Sequence, residues 1–126
     1  MKNKDFTFQF KTKISDVNQR RKMSEKIKQM HPDKIPIICE KDPLSKMGNL
    51  DKTKYVVHRD ITVAQFVSDL GKKVEIPPSE AIFLLVNAKH TISGNTRLGD
   101  IYETYANKED GFLYIVCASK EIWGAL

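Results

Sequence analysis

Apolar positions near the start of the chain fit two periods at once. Phe6, Phe8 and Phe10 are two apart, whereas Phe6, Phe10 and Ile14 are four apart. Periodicity cannot separate strand from helix there, and a short N-terminal helix is expected. Asp16–Met30 follows with no Gly or Pro. Ser15 is a suitable N-cap for it, and Asp16 suits the positive end of the helix dipole. Met23, Ile27 and Met30 share one face, with Val17 upstream. Pro32 closes this helix, because the residue before a proline avoids the helical region.

Ile35–Lys41 is rich in β-branched residues and reads as a strand, with Pro36 at its start because it lacks an N–H. Asp42–Asp51 carries Pro43 and Gly48 and reads as a loop. Lys52–His58 is a second, partly alternating strand. Thr62 and Gln65 match a capping box, opening a helix with Val63, Phe66, Val67 and Leu70, and Gly71 is its expected stop. After Pro77 and Pro78, Ala81–Asn87 reads as a fully buried strand. A very short strand is expected between Lys89 and Thr96, then a helix over Leu98–Tyr105 and a last strand over Gly111–Ala118. Two strands, a helix and further strands ending in an apolar one fit an α+β roll, one mixed sheet gripping a helix. This is the ubiquitin-like β-grasp, here with two extra N-terminal helices.

Composition narrows the classes. With 126 residues, 40% hydrophobic and 29% charged, the chain suits one soluble domain. Apolar runs such as Ala81–Val86 are far short of the ~20 residues that span a bilayer. The first residues lack the apolar stretch of a secretion signal. Two cysteines without metal-ligand spacing predict a reducing, cytosolic setting, no metal and no cofactor. Cys39 and Cys117 are expected as small buried residues in neighbouring strands. His31, His58 and His90 are each expected at the surface. Residues 1–34 hold ten Lys/Arg and four Asp/Glu, a net of +6, while residues 35–126 carry −1. That asymmetry suits an acidic partner surface, an anionic membrane or nucleic acid. No aromatic residues interleave with the basic run as stacking on nucleic acid would require.

Five ordered blocks carry more than a pattern: Pro32–Lys41, Asp51–Val57, Thr62–Phe66, Pro77–Phe83 and Glu109–Tyr114. Together they closely resemble the autophagy ubiquitin-like modifiers, the GABARAP-like family, from about Val17 to Gly124. The resemblance implies a non-enzymatic β-grasp protein. It implies an N-terminal helical extension over 1–30, a core over 31–118 and a C-terminal tail over 119–126. It also implies trimming by a cysteine protease to Gly124, next to Trp123. Ubiquitin-like activating and conjugating enzymes would then pass Gly124 to the amine of phosphatidylethanolamine. The lipidated protein would sit on autophagosome membranes and capture cargo receptors through an aromatic-x-x-aliphatic motif. A terminal glycine suits that chemistry, since a residue without Cβ allows close backbone approach in a narrow active site.

The implied recognition element is Lys52–His58, to whose free edge an extended peptide could add. By the resemblance, the aromatic pocket is Ile27, Pro36, Ile38, Lys54, Val56 and Phe112. The aliphatic pocket is Tyr55, Val57, Ile61, Phe66 and Leu70, and Lys34 and Lys52 meet acidic flanking residues. Taken singly, each apolar member reads equally as core. Four departures from the family bear on this. Lys34 stands in place of Arg and loses the bidentate fork. Met23 stands in place of an acid beside the aromatic pocket. Asp69 stands in place of an apolar residue and is expected to face solvent or pair with Lys72 or Lys73, because unpaired burial costs several kcal/mol. Ser119, Lys120 and Trp123 also depart from the family's tail. The competing readings are a non-conjugated ubiquitin-like interaction module and, from another class, a basic nucleic-acid-binding domain using residues 2–28.

Overall fold

The computed structural model describes residues 6–121. The N-terminal aromatic stretch enters as an extended segment and then forms α1 (Gln9–Lys13). This helix has no side-chain cap of its own. The Glu40 carboxylate supplies one from across the fold, accepting from the Gln9 and Phe10 N–H groups at 2.8 and 2.9 Å. The second helix, α2 (Val17–Met30), is capped by Asp16 and not by Ser15. Asp16 has the extended backbone of a cap, and its side chain accepts from Asn18 N–H at 2.9 Å. The Ser15 carbonyl instead accepts from Arg20.

The strands are β1 (Lys34–Lys41), β2 (Lys54–His58), β3 (Glu80–Val86), β4 (His90–Thr91) and β5 (Leu113–Glu121). They form one mixed sheet in the order β2-β1-β5-β3-β4. β1 and β5 run parallel, and the other pairs are antiparallel. Between the strands lie α3 (Val63–Gly71) and α4 (Leu98–Tyr105). This is the α+β ubiquitin-like β-grasp expected from the sequence, with α1 and α2 added before it.

Alternation along the strands divides the core. Ile35, Ile37, Cys39, Leu113, Ile115 and Cys117 pack with α3 and α4. Ile38, Phe112, Tyr114 and Val116 face the other way, against Phe8 and Phe10, with Met23 and Ile27 of α2 packed alongside. Both faces of the central strands are therefore covered, which explains why β1 and β5 read as nearly continuous apolar runs. The entry segment and α1 together lay an aromatic ladder on this second face. Phe8 meets Tyr114 edge-on at 5.0 Å and Phe10 meets Phe112 at 5.2 Å.

Several boundaries differ from expectation. β2 begins at Lys54, so Lys52 and Thr53 belong to the approach loop. Gly71 is the last residue of α3, whose C-cap is Lys72 in a helical conformation. Thr62 does accept from Gln65 N–H at 3.2 Å, but the Gln65 amide reaches forward to Asp69, leaving the capping box half made. The third strand is buried only in its second half, since Ala81 is exposed and Ile82 and Phe83 are half-buried. Asn87 has left the strand and, with Ala88, takes a positive φ in the turn to β4. Phe112 and Gly111 precede β5, which runs on to Glu121. Pro36 lies third in β1, and pairing with β5 starts one residue later at Ile37, so the missing N–H interrupts no ladder there.

Candidate functional site

β2 is the end strand of the sheet and pairs with β1 alone. Arg59 N–H donates to Asp33 O and Cys39 N–H to Thr53 O, at 3.0 and 2.9 Å. Hydrogen-bonded and non-bonded pairs alternate in an antiparallel ladder. The register then directs the backbone groups of Tyr55 and Val57 toward β1 and those of Lys54 and Val56 outward, while at the strand's end the His58 carbonyl accepts from Ile61 N–H at 3.1 Å. The side chains alternate as well. Tyr55 and Val57 pack with the α3 core, while the opposite face of the strand carries Lys54 and Val56, both exposed.

The residues expected to form two pockets are grouped accordingly, one set on each side of β2. On the α2 side, Pro36, Ile38 and Phe112 are buried and make a floor. Ile27 is half-buried above it, and Val56 is 37% exposed at the rim. On the α3 side, Tyr55, Phe66 and Leu70 are buried, and Val57 and Ile61 are half-buried. Tyr55 and Phe66 meet edge-on at 5.6 Å, closing that floor. Each group thus has a buried base and a partly exposed rim. Lys34 is half-buried at one end of the edge. Lys52 is exposed at the other, its ammonium 4.8 Å from the centre of the Tyr55 ring. Asp69 finds neither Lys72 nor Lys73. Its carboxylate accepts from Gln65 at 3.1 Å, one turn back on the same helix, and stays at the surface. Trp123 and Gly124 lie outside the described residues.

One polar cluster beneath the α2 side was not legible in advance. Asp110 is fully buried. Its carboxylate accepts from Arg20 Nε at 2.9 Å, Tyr114 OH at 2.6 Å and Phe112 N–H at 3.0 Å. Its carbonyl accepts from Ser24 Oγ, itself fully buried. Arg20 also donates to the Ile14 carbonyl. Desolvation alone would lower the Arg20 pKa, but the hydrogen bond and charge of Asp110 outweigh it and raise it. Burial, then the bond to Asp110, pushes the Tyr114 phenol well up. The one sequence signal was an Arg and a Ser four apart on a helix, opposite an Asp-Gly that opens an apolar strand. A Cβ on Gly111 (φ +80) would fall 2.6 Å from Ser24 Oγ.

The three histidines do not converge. His31 and His90 are exposed, and His58 lies between Asp33 at 3.3 Å and Asp60 at 3.7 Å. Cys39 and Cys117 are buried neighbours on adjoining strands, as expected. The neighbouring Cys117 thiol, and then burial, hold the Cys39 thiol well above its usual value. A cavity of about 560 Å³ lies away from β2, between α3 and the outer side of β3, lined by residues such as Val67, Ile82 and Ile92. No helix among the described residues is long and apolar enough to cross a membrane.

A mixed sheet in this order, with helices on both faces and β2 as an end strand, defines a protein of the ubiquitin-like class. The chain matches the family model described as autophagy protein Atg8, ubiquitin like, over residues 19–124, and it belongs to that family. Among solved structures it is similar to ATG8 of Trypanosoma brucei, with a TM-score of 0.76 at 36% identity. That match covers 84% of this chain and 90% of the other. Family members are ubiquitin-like modifiers of autophagy and not themselves enzymes.

Proposed function

We propose that this chain is an autophagy modifier that joins phosphatidylethanolamine through Gly124 and, on the autophagosome membrane, gathers cargo receptors at β2. The observation that carries the recognition half is the free edge with an apolar cluster on each face of the sheet beside it. An aromatic and an aliphatic residue separated by two others are three apart. In an extended strand, positions three apart point to opposite faces. A peptide added to β2 would therefore send one residue to the Pro36, Ile38 and Phe112 floor and the other to the Tyr55, Phe66 and Leu70 floor. Main-chain bonds to Lys54 and Val56 would supply affinity, and the two sets of side chains specificity. Lys34, Lys52 and Lys54 suit acidic residues flanking the motif.

The conjugation half rests on family membership and on the glycine near the end of the chain. The partners it implies are a processing cysteine protease, the ubiquitin-like activating and conjugating enzymes, and a membrane reached through covalent lipid. Two measurements test the two halves. Intact mass after incubation in cell extract should show loss of Ala125 and Leu126 and then a gain of one phospholipid. An unchanged mass would favour a module that is never conjugated. Titration with an aromatic-x-x-aliphatic peptide should show binding that Lys54→Ala or Phe112→Ala weakens. A peptide that binds both variants as well as the parent docks elsewhere.

A further inference from the structure

We propose that the cavity between α3 and β3 is a binding site for a free fatty acid, with the alkyl chain inside it and the carboxylate at Lys120. The cavity arises from the way the chain leaves the sheet. β4 pairs with Leu85 and Val86 alone. Beyond it, Gly94 O accepts from Ala64 N–H at 3.0 Å and Thr96 O from Val63 N–H at 2.9 Å. These bonds draw the segment after β4 onto the first turn of α3 and away from β3. The opening left behind has a volume of about 560 Å³, within the ~300–1,000 Å³ usual for small-molecule sites. It lies at the β3–β4 margin of the sheet, opposite β2, so it needs nothing from the reading of β2 as a docking edge.

The walls select the ligand. Val63 and Val67 of α3, Ile82 and Leu84 of β3, and Ile92 make them largely apolar. Among the described residues that line the cavity, Lys120 is the one charged side chain, and none carries a carboxylate. Lys120 is exposed, with its ammonium 4.9 Å from the centre of the Phe83 ring at the rim. The backbone adds a donor at the same end. Asn87 N–H donates to Tyr114 O at 2.8 Å, and bonded and non-bonded pairs alternate along an antiparallel ladder. The register then turns the main-chain groups of Ile82 and Leu84 away from β5, toward the side that β4 does not reach. Lys120 lies opposite Ala81, so the cation and the outward Ile82 N–H are neighbours. A carboxylate placed there accepts from both, and an ionised acceptor makes the stronger kind of hydrogen bond. The remainder of the cavity, along Val63, Val67 and Ile92, suits an alkyl chain, whose burial is favourable in proportion to its area. A sugar or nucleoside would strand its polar groups against the same walls.

The test is titration of the full chain with octanoate, decanoate and dodecanoate, each below its micelle-forming concentration, read by calorimetry and by methyl NMR. Methyl signals of Val67, Ile82 and Ile92 should shift, and those of Ile27 and Val56 beside β2 should not. Each added methylene should tighten binding about fourfold. Lys120→Gln should weaken decanoate about fivefold and leave decanol unchanged, a split that a merely structural lysine would not produce. Ala64→Phe fills the cavity from an exposed position on α3 and should weaken all three acids at least about tenfold, with the fold kept by circular dichroism. The chain-length series and Lys120→Gln decide the matter if that variant does not fold. A parent that binds none of the acids, an affinity indifferent to chain length, equal losses of decanoate and decanol in Lys120→Gln, or shifts centred on Ile27 and Val56 would each overturn the inference.

Discussion

Asp110 shows how one residue can join parts of the chain that are far apart in sequence. Its carboxylate holds Arg20 of α2, the Tyr114 hydroxyl and the Phe112 N–H together in a site closed to water. Removing one partner of a buried ion pair strands the other charge, which costs about 3–5 kcal/mol. Asp110→Ala should therefore lower the free energy of unfolding by about that much in urea titration. Gly111→Ala combines a positive φ with a clash against Ser24, and should cost at least ~1–3 kcal/mol in the same measurement. Tyrosines give a pH signature. Burial raises the phenols of Tyr55 and Tyr114 well above the ordinary value near 10. The unfolded chain then releases these protons first as pH rises. Their contribution is complete below pH ~10 and is lost above it, at up to ~1.4 kcal/mol per pH unit for each. Tyr114→Phe should flatten that alkaline slope, read from unfolding midpoints between pH 9 and 11.

Elements were legible where a local signal and the tertiary contacts agreed. Leu98–Tyr105 matches its expected span because its apolar face, its start and its end all lie within a few residues. The start of α2 shifted by one residue because Ser15 and Asp16 are both good caps and only the backbone decides between them. β3 was read as buried throughout because its apolar run says nothing of how many neighbours it has. β4 reaches only Leu85 and Val86, which leaves the first half of β3 at an open edge. The residues of the candidate site were legible as members of a resemblance, but their division into floor and rim was not. Burial of Phe112 and Ile38 depends on Phe10 and α2, which lie far from them in sequence. The polar cluster under them was hidden for the same reason. Edge geometry yields a sharp test. The Val56 N–H faces outward, so a proline there removes no bond of the β1 ladder. Val56→Pro should keep the fold by circular dichroism and abolish binding of an added strand.

For the whole molecule, charge and the proposed lipid would make separable contributions to location. The net +6 of residues 1–34 attracts anionic headgroups at only about 1 kcal/mol per nearby charge. Two acyl chains anchor stably where one binds only reversibly. Gly124→Ala should thus keep peptide affinity and leave the protein diffuse by fluorescence imaging, whereas reversing a few N-terminal lysines should not. The position of β5 adds a mechanical consequence. This strand runs to Glu121 and leads into the tail, yet it sits in the middle of the sheet, with β1 along one side and β3 along the other. A pull on the tail is directed along the strand, so the bonds of both ladders are loaded in shear and share the force. A pull at the outer edge of β2, perpendicular to the strand, would open its single ladder one bond at a time. A protein held at its tail while a bound load tugs elsewhere therefore takes the strain along its strongest axis. In single-molecule stretching, tethers at the tail and at α2 should rupture at higher force than tethers that peel β2.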